Sequence, residues 1–129
     1  MRVRRIKIGI RHPDESLREA KEVARRLKTG EKIPERAEEL YFADLTTLRK
    51  VLSPKRLALL WAIVEHTPRS VRELAEQVGR NIKNVSQDLA LLSRLGLVEL
   101  KEARRGVPQT PVLPYDEIDL NVRIRPSHP

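Results

Sequence analysis

The stretch SVRELAEQVGRNIKNVSQDLALLSRLG, residues 70–96, decides the fold of this chain. Ser70 begins a capping box and predicts a short helix that ends at Gly79. Asn81 is typical of the N-cap of a second helix, and Gly96 is typical of the end of that helix. Two helices joined by a turn of about three residues that contains glycine predict a helix-turn-helix.

The second helix of this motif has two contrasting faces. On a helical wheel of 100° per residue, Val85, Leu89 and Leu92 lie on one side and complete an interior with Leu74 and Ala75 of the first helix. Residues on the opposite side are polar, basic or small: Lys83, Gln87, Ala90 and Arg94. This contrast predicts a recognition helix at about residues 82–95, with its polar side in a DNA groove about 12 Å wide.

The residues on both sides of the motif predict a third helix and a hairpin. Ser53 and Pro54 begin an earlier helix, and an apolar stripe follows from Leu57, Leu60, Trp61 and Val64. After Gly96, residues 97–100 are typical of a strand, Arg104-Arg105-Gly106 of a turn, and residues 108–114 of an extended return in which prolines favour an edge position. Together these elements predict a mainly α, α+β fold: a winged helix-turn-helix domain over residues 39–125, with a wing at about 101–110.

The N-terminal residues predict an arm at 1–38. Residues 3–10 alternate as a half-buried strand does, and a helix follows that either Asp14 or Ser16 could cap. Its apolar stripe of Leu17, Ala20, Ala24 and Leu27 is thin, so we expect it to dock on a neighbour or a second subunit.

Shorter elements follow the arm. A short strand is predicted at 40–43 and apolar residues recur at helical spacing over 45–52. Residues 118–124 predict a last strand that could pair with the strand near Ile8 or the one near Phe42. We expect residues 126–129 to be a disordered tail.

The charge distribution favours a polyanionic partner. The 129 residues carry a formal net charge of +8, with five basic and no acidic residues in 1–13. Residues 54–105 carry ten basic and six acidic groups. Such a field favours nucleic acid and salt-sensitive association, although a soluble basic protein could have the same composition.

Composition also excludes several classes of protein. The chain has no cysteine, so a disulfide, a thiolate zinc site and a cysteine nucleophile are excluded, which fits a reducing cytosol. No apolar run approaches the roughly 20 residues that cross a bilayer, and the basic N-terminus lacks the apolar stretch of a signal peptide. We therefore expect a cytoplasmic protein with no membrane partner.

Nothing in the chain predicts catalysis. His12, His66 and His128 are scattered, and no Gly-rich phosphate loop is present. The glutamates fall beside Lys and Arg at the spacing of solvated ion pairs. We expect no enzyme activity, no catalytic residue, no metal ligand and no cofactor.

The DNA contacts are predicted residue by residue. Side chains at the start of the second helix would read bases, because Gln and Asn can bind adenine and Lys can bind guanine; basic residues at helix starts and in the turn would hold phosphates or enter a minor groove. The alternatives are an ordinary polar helix surface and an ordinary solvated arginine turn. The predicted DNA-binding residues are Lys55, Arg69, Ser70, Arg80, Asn81, Lys83, Asn84, Ser86, Gln87, Arg94, Arg104 and Arg105.

Four segments, 52–60, 70–75, 79–89 and 95–99, resemble MarR-like winged-helix regulators. Residues 79–89 are also similar to the "GR-D-x-KNV-x-x-D" segment of a prokaryotic group of small predicted transcriptional regulators, except that Asn81 stands where that group has Asp. The resemblance extends to 40–44, 114–118 and, faintly, 3–10. It implies a winged-helix fold, double-stranded DNA as partner, a homodimer and, for some members, an antitoxin role beside a small toxin protein.

A different function class stays open from the residues themselves. The amphipathic segment at 14–29 could make the chain a protein-interaction module, built on a winged helix, whose main ligand is a protein. A ligand-responsive repressor is a weaker variant, because four aromatic residues give little sign of an effector pocket.

Overall fold

The computed structural model describes residues 2–30, 38–102 and 104–125. These residues form an α+β structure, which confirms the predicted class. The elements in chain order are β1 (Arg5–Ile10), α1 (Pro13–Thr29), β2 (Glu39–Phe42), α2 (Leu45–Val51), α3 (Pro54–His66), α4 (Val71–Val78), α5 (Ile82–Arg94), β3 (Glu99–Lys101), β4 (Thr110–Val112) and β5 (Glu117–Val122).

The chain divides into two compact units. Among the described residues, the helical unit comprises 2–4, 49–102 and 104–116, and the sheet unit comprises 5–30, 38–48 and 117–125. The sequence placed residues 39–48 and 117–125 with the winged helix instead. The division differs because β1 pairs with both β2 and β5, which ties those two strands to the N-terminal strand. The predicted tail, 126–129, lies outside the described residues.

The helical unit packs α3, α4 and α5 against one another and carries the β3–β4 hairpin. Its core is aliphatic: the residues with almost no exposed surface are Leu59, Leu74, Val85, Leu89, Leu92 and Val98. Full burial of a Leu or Val side chain stabilises a fold by about 1.5–3 kcal/mol. Packing of these aliphatic side chains therefore fixes how α3, α4 and α5 lie against one another.

Helix α3 begins where the sequence predicted, but the side that faces the core differs in part from the predicted one. The Ser53 hydroxyl accepts a hydrogen bond from the Arg56 backbone N–H at 3.3 Å, and Pro54 is the first helical residue. The prediction that the apolar stripe of α3 is buried is wrong in part, because Trp61 and Val64 are each 65% exposed. Leu59 and Ile63 are buried instead, and the sequence left this choice open because α3 is apolar on most of its circumference.

The sheet unit has three parallel strands in the order β2-β1-β5. Ile6 pairs with Ile118 and Ile8 with Leu120, which confirms that the last strand pairs beside Ile8. Gly9 is needed at the centre of the sheet, because a Cβ there would lie 2.4 Å from the Asn121 carbonyl oxygen. Among the described residues of this unit, the buried apolar side chains are Ile6, Ile8 and Leu48.

Helix α1 begins earlier than either predicted cap. Its N-cap is His12, whose Nδ1 accepts a hydrogen bond from the Asp14 N–H at 3.2 Å, so Asp14 and Ser16 lie inside the helix. Pro13 allows this early start because proline fits the first helical position. The predicted apolar stripe of α1 is exposed along its length.

Ion pairs hold α1 within the sheet unit. Arg11 pairs with Glu19, and Arg123 pairs with Glu15 at 3.3 Å. On the helix surface, hydrogen bonds from Arg25 and Arg26 lower the pKa of Glu22 to about 2. Polar contacts therefore attach the helix and leave its apolar stripe uncovered.

Candidate nucleic-acid interface

The turn between α4 and α5 has the geometry that the sequence predicted. Helix α4 ends at Val78, Gly79 has a φ of 68° in the left-handed region, and α5 begins at Ile82. The Gly79 N–H donates to carbonyl groups of the last turn of α4. Because left-handed backbone is unfavourable for residues with a Cβ, glycine allows this short connection between the two helices.

The buried side of α5 faces α4. Leu74 and Ala75 on α4 and Val85, Leu89 and Leu92 on α5 each expose 3% of their surface or less. These are the five residues that the sequence predicted to lie inside. The small side chain of Ala75 lets the two helices approach closely, so the rotation of α5 about its axis is fixed by apolar packing.

The opposite side of α5 is open to solvent. The exposed residues on that side are Lys83, Asn84, Ser86, Gln87, Ala90 and Arg94. Two of them are basic, three carry hydroxyl or amide groups, and Ala90 leaves room for close approach. This side can offer donors and acceptors to base edges and positive charge to phosphates.

Two of the predicted contact residues are helix N-caps. The Ser70 hydroxyl accepts a hydrogen bond from the Glu73 N–H at 3.1 Å, and the Asn81 side-chain oxygen accepts one from the Lys83 N–H at 2.8 Å. The Asn81 side chain keeps its amide group as a donor, and the Ser70 hydroxyl keeps its proton. Both residues can cap a helix and still contact an anion.

Arg80 is partly buried and pairs within the helical unit, with 24% of its side chain exposed. Its Nη2 donates to Asp88 Oδ2 at 2.8 Å, and Arg56 Nε donates to the other carboxylate oxygen at 3.1 Å. Arg56 also donates to the Val51 carbonyl at 3.0 Å. We call Arg56, Arg80 and Asp88 the carboxylate bridge, because Asp88 on α5 links the start of α3 to the α4–α5 turn.

The carboxylate bridge changes the role expected for Arg80. The sequence placed its guanidinium on a phosphate, whereas its charge is already opposed by Asp88, which is 14% exposed. Sequence reasoning missed Asp88 as a structural residue. A signal was present, because Asp88 lies 60° from Val85 on the wheel, beside the core, and a carboxylate there needs a charged partner.

The hairpin after α5 carries the two turn arginines. Strands β3 and β4 are antiparallel, with Leu100 paired to Pro111. The turn between them includes a hydrogen bond from the Val107 N–H to the Arg104 carbonyl at 3.1 Å, and Gly106 has a φ of 85°. Arg104 and Arg105 are both exposed, which leaves two guanidinium groups available at the predicted wing.

A groove connects this hairpin to α4 and α5. It has a volume of about 340 Å³ and is lined by Ser70, Val71, Arg72, Ile82, Pro108 and Gln109. The Thr110 hydroxyl also donates to the Arg69 carbonyl at 2.7 Å. The first residue of α5, the N-cap of α4 and the hairpin therefore meet at one surface.

Of the twelve predicted residues only Ser70 lines this groove, and two of the others lie well away from it. Lys55 is exposed in the first turn of α3, and Arg94 is exposed at the last residue of α5. At 1.5 Å per residue, Arg94 lies about 16 Å along the helix from Lys83. Neither residue lines the groove, so any contact they make would extend the surface beyond it.

The parts of the chain that the structure describes, residues 2–30, 38–102 and 104–125, also bear on metal binding and membrane crossing. There, His, Asp and Glu side chains do not gather in groups of three that could hold a metal ion. No helix in those ranges combines the length and the apolar character that crossing a membrane requires.

Comparison with known proteins identifies the family. No curated protein matches the chain. The model of the HVO_A0114 family matches residues 51–120, which span α3 to α5, the hairpin and most of β5. Because that match covers more than half of the chain, the protein belongs to the HVO_A0114 family.

Proposed function

We propose that the protein is a sequence-specific, DNA-binding transcriptional regulator of winged helix-turn-helix type. Helix α5 lies in the major groove, and the β3–β4 hairpin acts as the wing on the backbone or in the minor groove. The observation that carries the proposal is the orientation of α5: Val85 and Leu89 are buried while Lys83 and Gln87 are exposed. The resemblance of sequence segments 52–60, 70–75, 79–89 and 95–99 to MarR-like regulators also favours it.

The contacts divide by their chemistry. Lys83, Asn84, Ser86 and Gln87 read bases, since they lie on the exposed side within the first two turns of α5. Lys55, Arg69, Arg104 and Arg105 hold phosphates. Arg80 acts differently in this scheme: through Asp88 it fixes the angle at which α5 leaves the turn.

The regulator binds as a homodimer in the cytoplasm. A two-fold dimer recognises a pseudo-palindrome whose half-sites are separated by about one helical turn, roughly 34 Å. The net charge of +8 supports association with DNA, because a basic protein releases counterions from DNA when it binds.

Selection of bound duplexes from a random DNA pool, at two salt concentrations, tests the proposal. We expect enrichment of an interrupted inverted repeat and weaker binding at the higher salt. Gln87→Ala should relax the preference at one position of each half-site by about 1–3 kcal/mol. Gln77→Ala, an exposed glutamine on α4, is the control and should select the wild-type sequence; a pool with no enriched sequence would contradict the proposal.

A second candidate function is a protein-interaction winged helix, such as the antitoxin of a toxin–antitoxin pair. The observation that favours it is the uncovered apolar stripe of α1, where Leu17 and Leu27 are exposed. Purification of the untagged protein from its native host distinguishes the two. A small protein in stoichiometric amount, without retained DNA, would favour this second function.

A further inference from the structure

The outer edge of β5 is an unpaired strand edge. Among residues 2–30, 38–102 and 104–125 no strand lies beyond it in the β2-β1-β5 sheet. Leu120 is 59% exposed and Val122 is 62% exposed, and β5 contains no proline, glycine or lysine that would block further pairing. The opposite edge, β2, has only four residues, three of them half-buried.

Backbone hydrogen bonds show which residues of β5 direct their N–H and C=O groups away from β1. The Lys7 N–H donates to the Glu38 carbonyl, so Lys7 faces β2, and the Arg123 N–H donates to the Ile10 carbonyl, so Ile10 faces β5. The backbone N–H and C=O groups of successive residues point alternately to the two sides of a strand. The residues whose N–H and C=O groups point away from β1 are therefore Ile118, Leu120 and Val122.

We propose that a second copy of this chain pairs with the β5 edge, antiparallel, with Leu120 opposite Leu120 of the partner subunit. Ile118 then lies opposite the partner's Val122. All three outward residues of each strand form hydrogen-bonded pairs, which gives roughly six backbone hydrogen bonds. The two three-stranded sheets become one sheet of six strands.

Charge complementarity supports this register. Glu117 lies opposite the partner's Arg123, and Asp119 lies opposite the partner's Asn121. A register shifted to centre on Asp119 would instead set two carboxylates against each other, which is destabilising. Exposed apolar side chains of β5 become neighbours across the new pair, which removes apolar surface from water.

The proposed pairing goes beyond the proposed function, because the edge belongs to the sheet unit and pairs whether or not the helical unit binds DNA. Its test therefore uses the full chain without DNA. A protein that dimerises through β5 but binds no DNA would contradict the proposed function alone, and one that binds DNA as a dimer unaffected by Leu120→Lys would contradict the pairing alone.

Sedimentation equilibrium of the wild-type protein and of two variants is the first test. We expect a wild-type dimer, and we expect Leu120→Lys to weaken dimerisation at least tenfold, because it opposes two ammonium groups at the two-fold axis. Leu27→Lys, at an equally exposed leucine of α1, should leave the dimer intact. A monomeric wild type, or a dimer lost with Leu27→Lys but kept with Leu120→Lys, would overturn the pairing.

A cross-link keeps the test decisive if Leu120→Lys is poorly folded. The chain has no cysteine, so a single introduced cysteine can form a disulfide only between copies. Hydrogen-bonded pairs have Cα atoms about 5.5 Å apart, within the range of a disulfide. Leu120→Cys should give a covalent dimer on mild oxidation and Ser86→Cys should not; equal yields from both would overturn the proposal.

Discussion

Asp88 is the residue on which the position of α5 depends most. It accepts hydrogen bonds from Arg56, 32 positions earlier, and from Arg80, eight positions earlier. Replacing a partly buried, paired carboxylate leaves two guanidinium groups without a counter-charge, and such losses cost a few kcal/mol. One side chain thus joins the start of α3, the turn and the candidate recognition helix.

We predict that Asp88→Asn lowers the free energy of unfolding by about 2 kcal/mol and weakens DNA binding. Thermal denaturation should show a melting temperature lower by roughly 5–10 °C. Glu76→Gln, at an exposed position of α4, is the matched control. Its melting temperature should lie within about 1–2 °C of that of the wild type, which is the usual effect of a surface substitution. Equal melting temperatures for the two variants would show that the bridge contributes no stability.

Arg105 is exposed in the turn of the β3–β4 hairpin, so we expect it to contact phosphates rather than bases. Arg105→Ala should weaken binding to every DNA sequence alike and reduce the slope of log K against log salt by about 1. Titrations of a selected and a scrambled duplex at several salt concentrations measure both effects. A loss confined to the selected duplex would mean that Arg105 reads bases.

Among the elements, the α4–α5 turn depends on Gly79. An alanine Cβ there would meet no atom within 4 Å, so the cost of Gly79→Ala arises from the backbone φ of 68°. We expect a loss of about 1 kcal/mol. Gly30→Ala is a close control, because Gly30 has a φ of 75° with the same open space but ends α1 in the sheet unit.

Both glycine variants should lower the melting temperature by similar amounts, and only Gly79→Ala should also weaken DNA binding. Calorimetry and a binding titration of both proteins measure the two effects. Equal DNA affinities for the two variants would show that the turn does not set the position of α5.

The elements also show what local sequence can predict. Ser53, Ser70 and Asn81 were predicted as caps and are caps, because a capping signal lies within three residues of the groups it satisfies. The outward side of α5 follows from periodicity in the same way. The central position of β1 and the pairing of Arg56 with Asp88 depend on residues far apart in the chain, and so local patterns did not reveal them.

Helix α1 and α3 show a second reason for incomplete prediction. Pro13 and His12 begin α1 before the capping box at Ser16, so a competing local signal was stronger. In α3 the apolar residues occupy most of the circumference, and periodicity could not decide between Trp61 and Ile63 for the core.

For the whole molecule, the proposed two-fold dimer would make the spacing between DNA half-sites a measurable quantity. Inserting about five base pairs between the half-sites turns one of them by half a helical turn. We expect the affinity to fall at least tenfold and to approach that for a single half-site, because both copies can no longer bind one face of the duplex. Unchanged affinity would indicate that each copy binds alone.

The central claim is that the exposed side of α5 reads bases in the major groove. A double-mutant cycle between Gln87→Ala and 7-deazaadenine, which lacks the N7 acceptor of that groove but keeps base pairing, tests it most directly. At one adenine position per half-site, replacing adenine by 7-deazaadenine should weaken DNA binding by the wild-type protein by about 1–3 kcal/mol. The same replacement should leave DNA binding by the Gln87→Ala variant unchanged. Equal losses for both proteins at every adenine would contradict the claim.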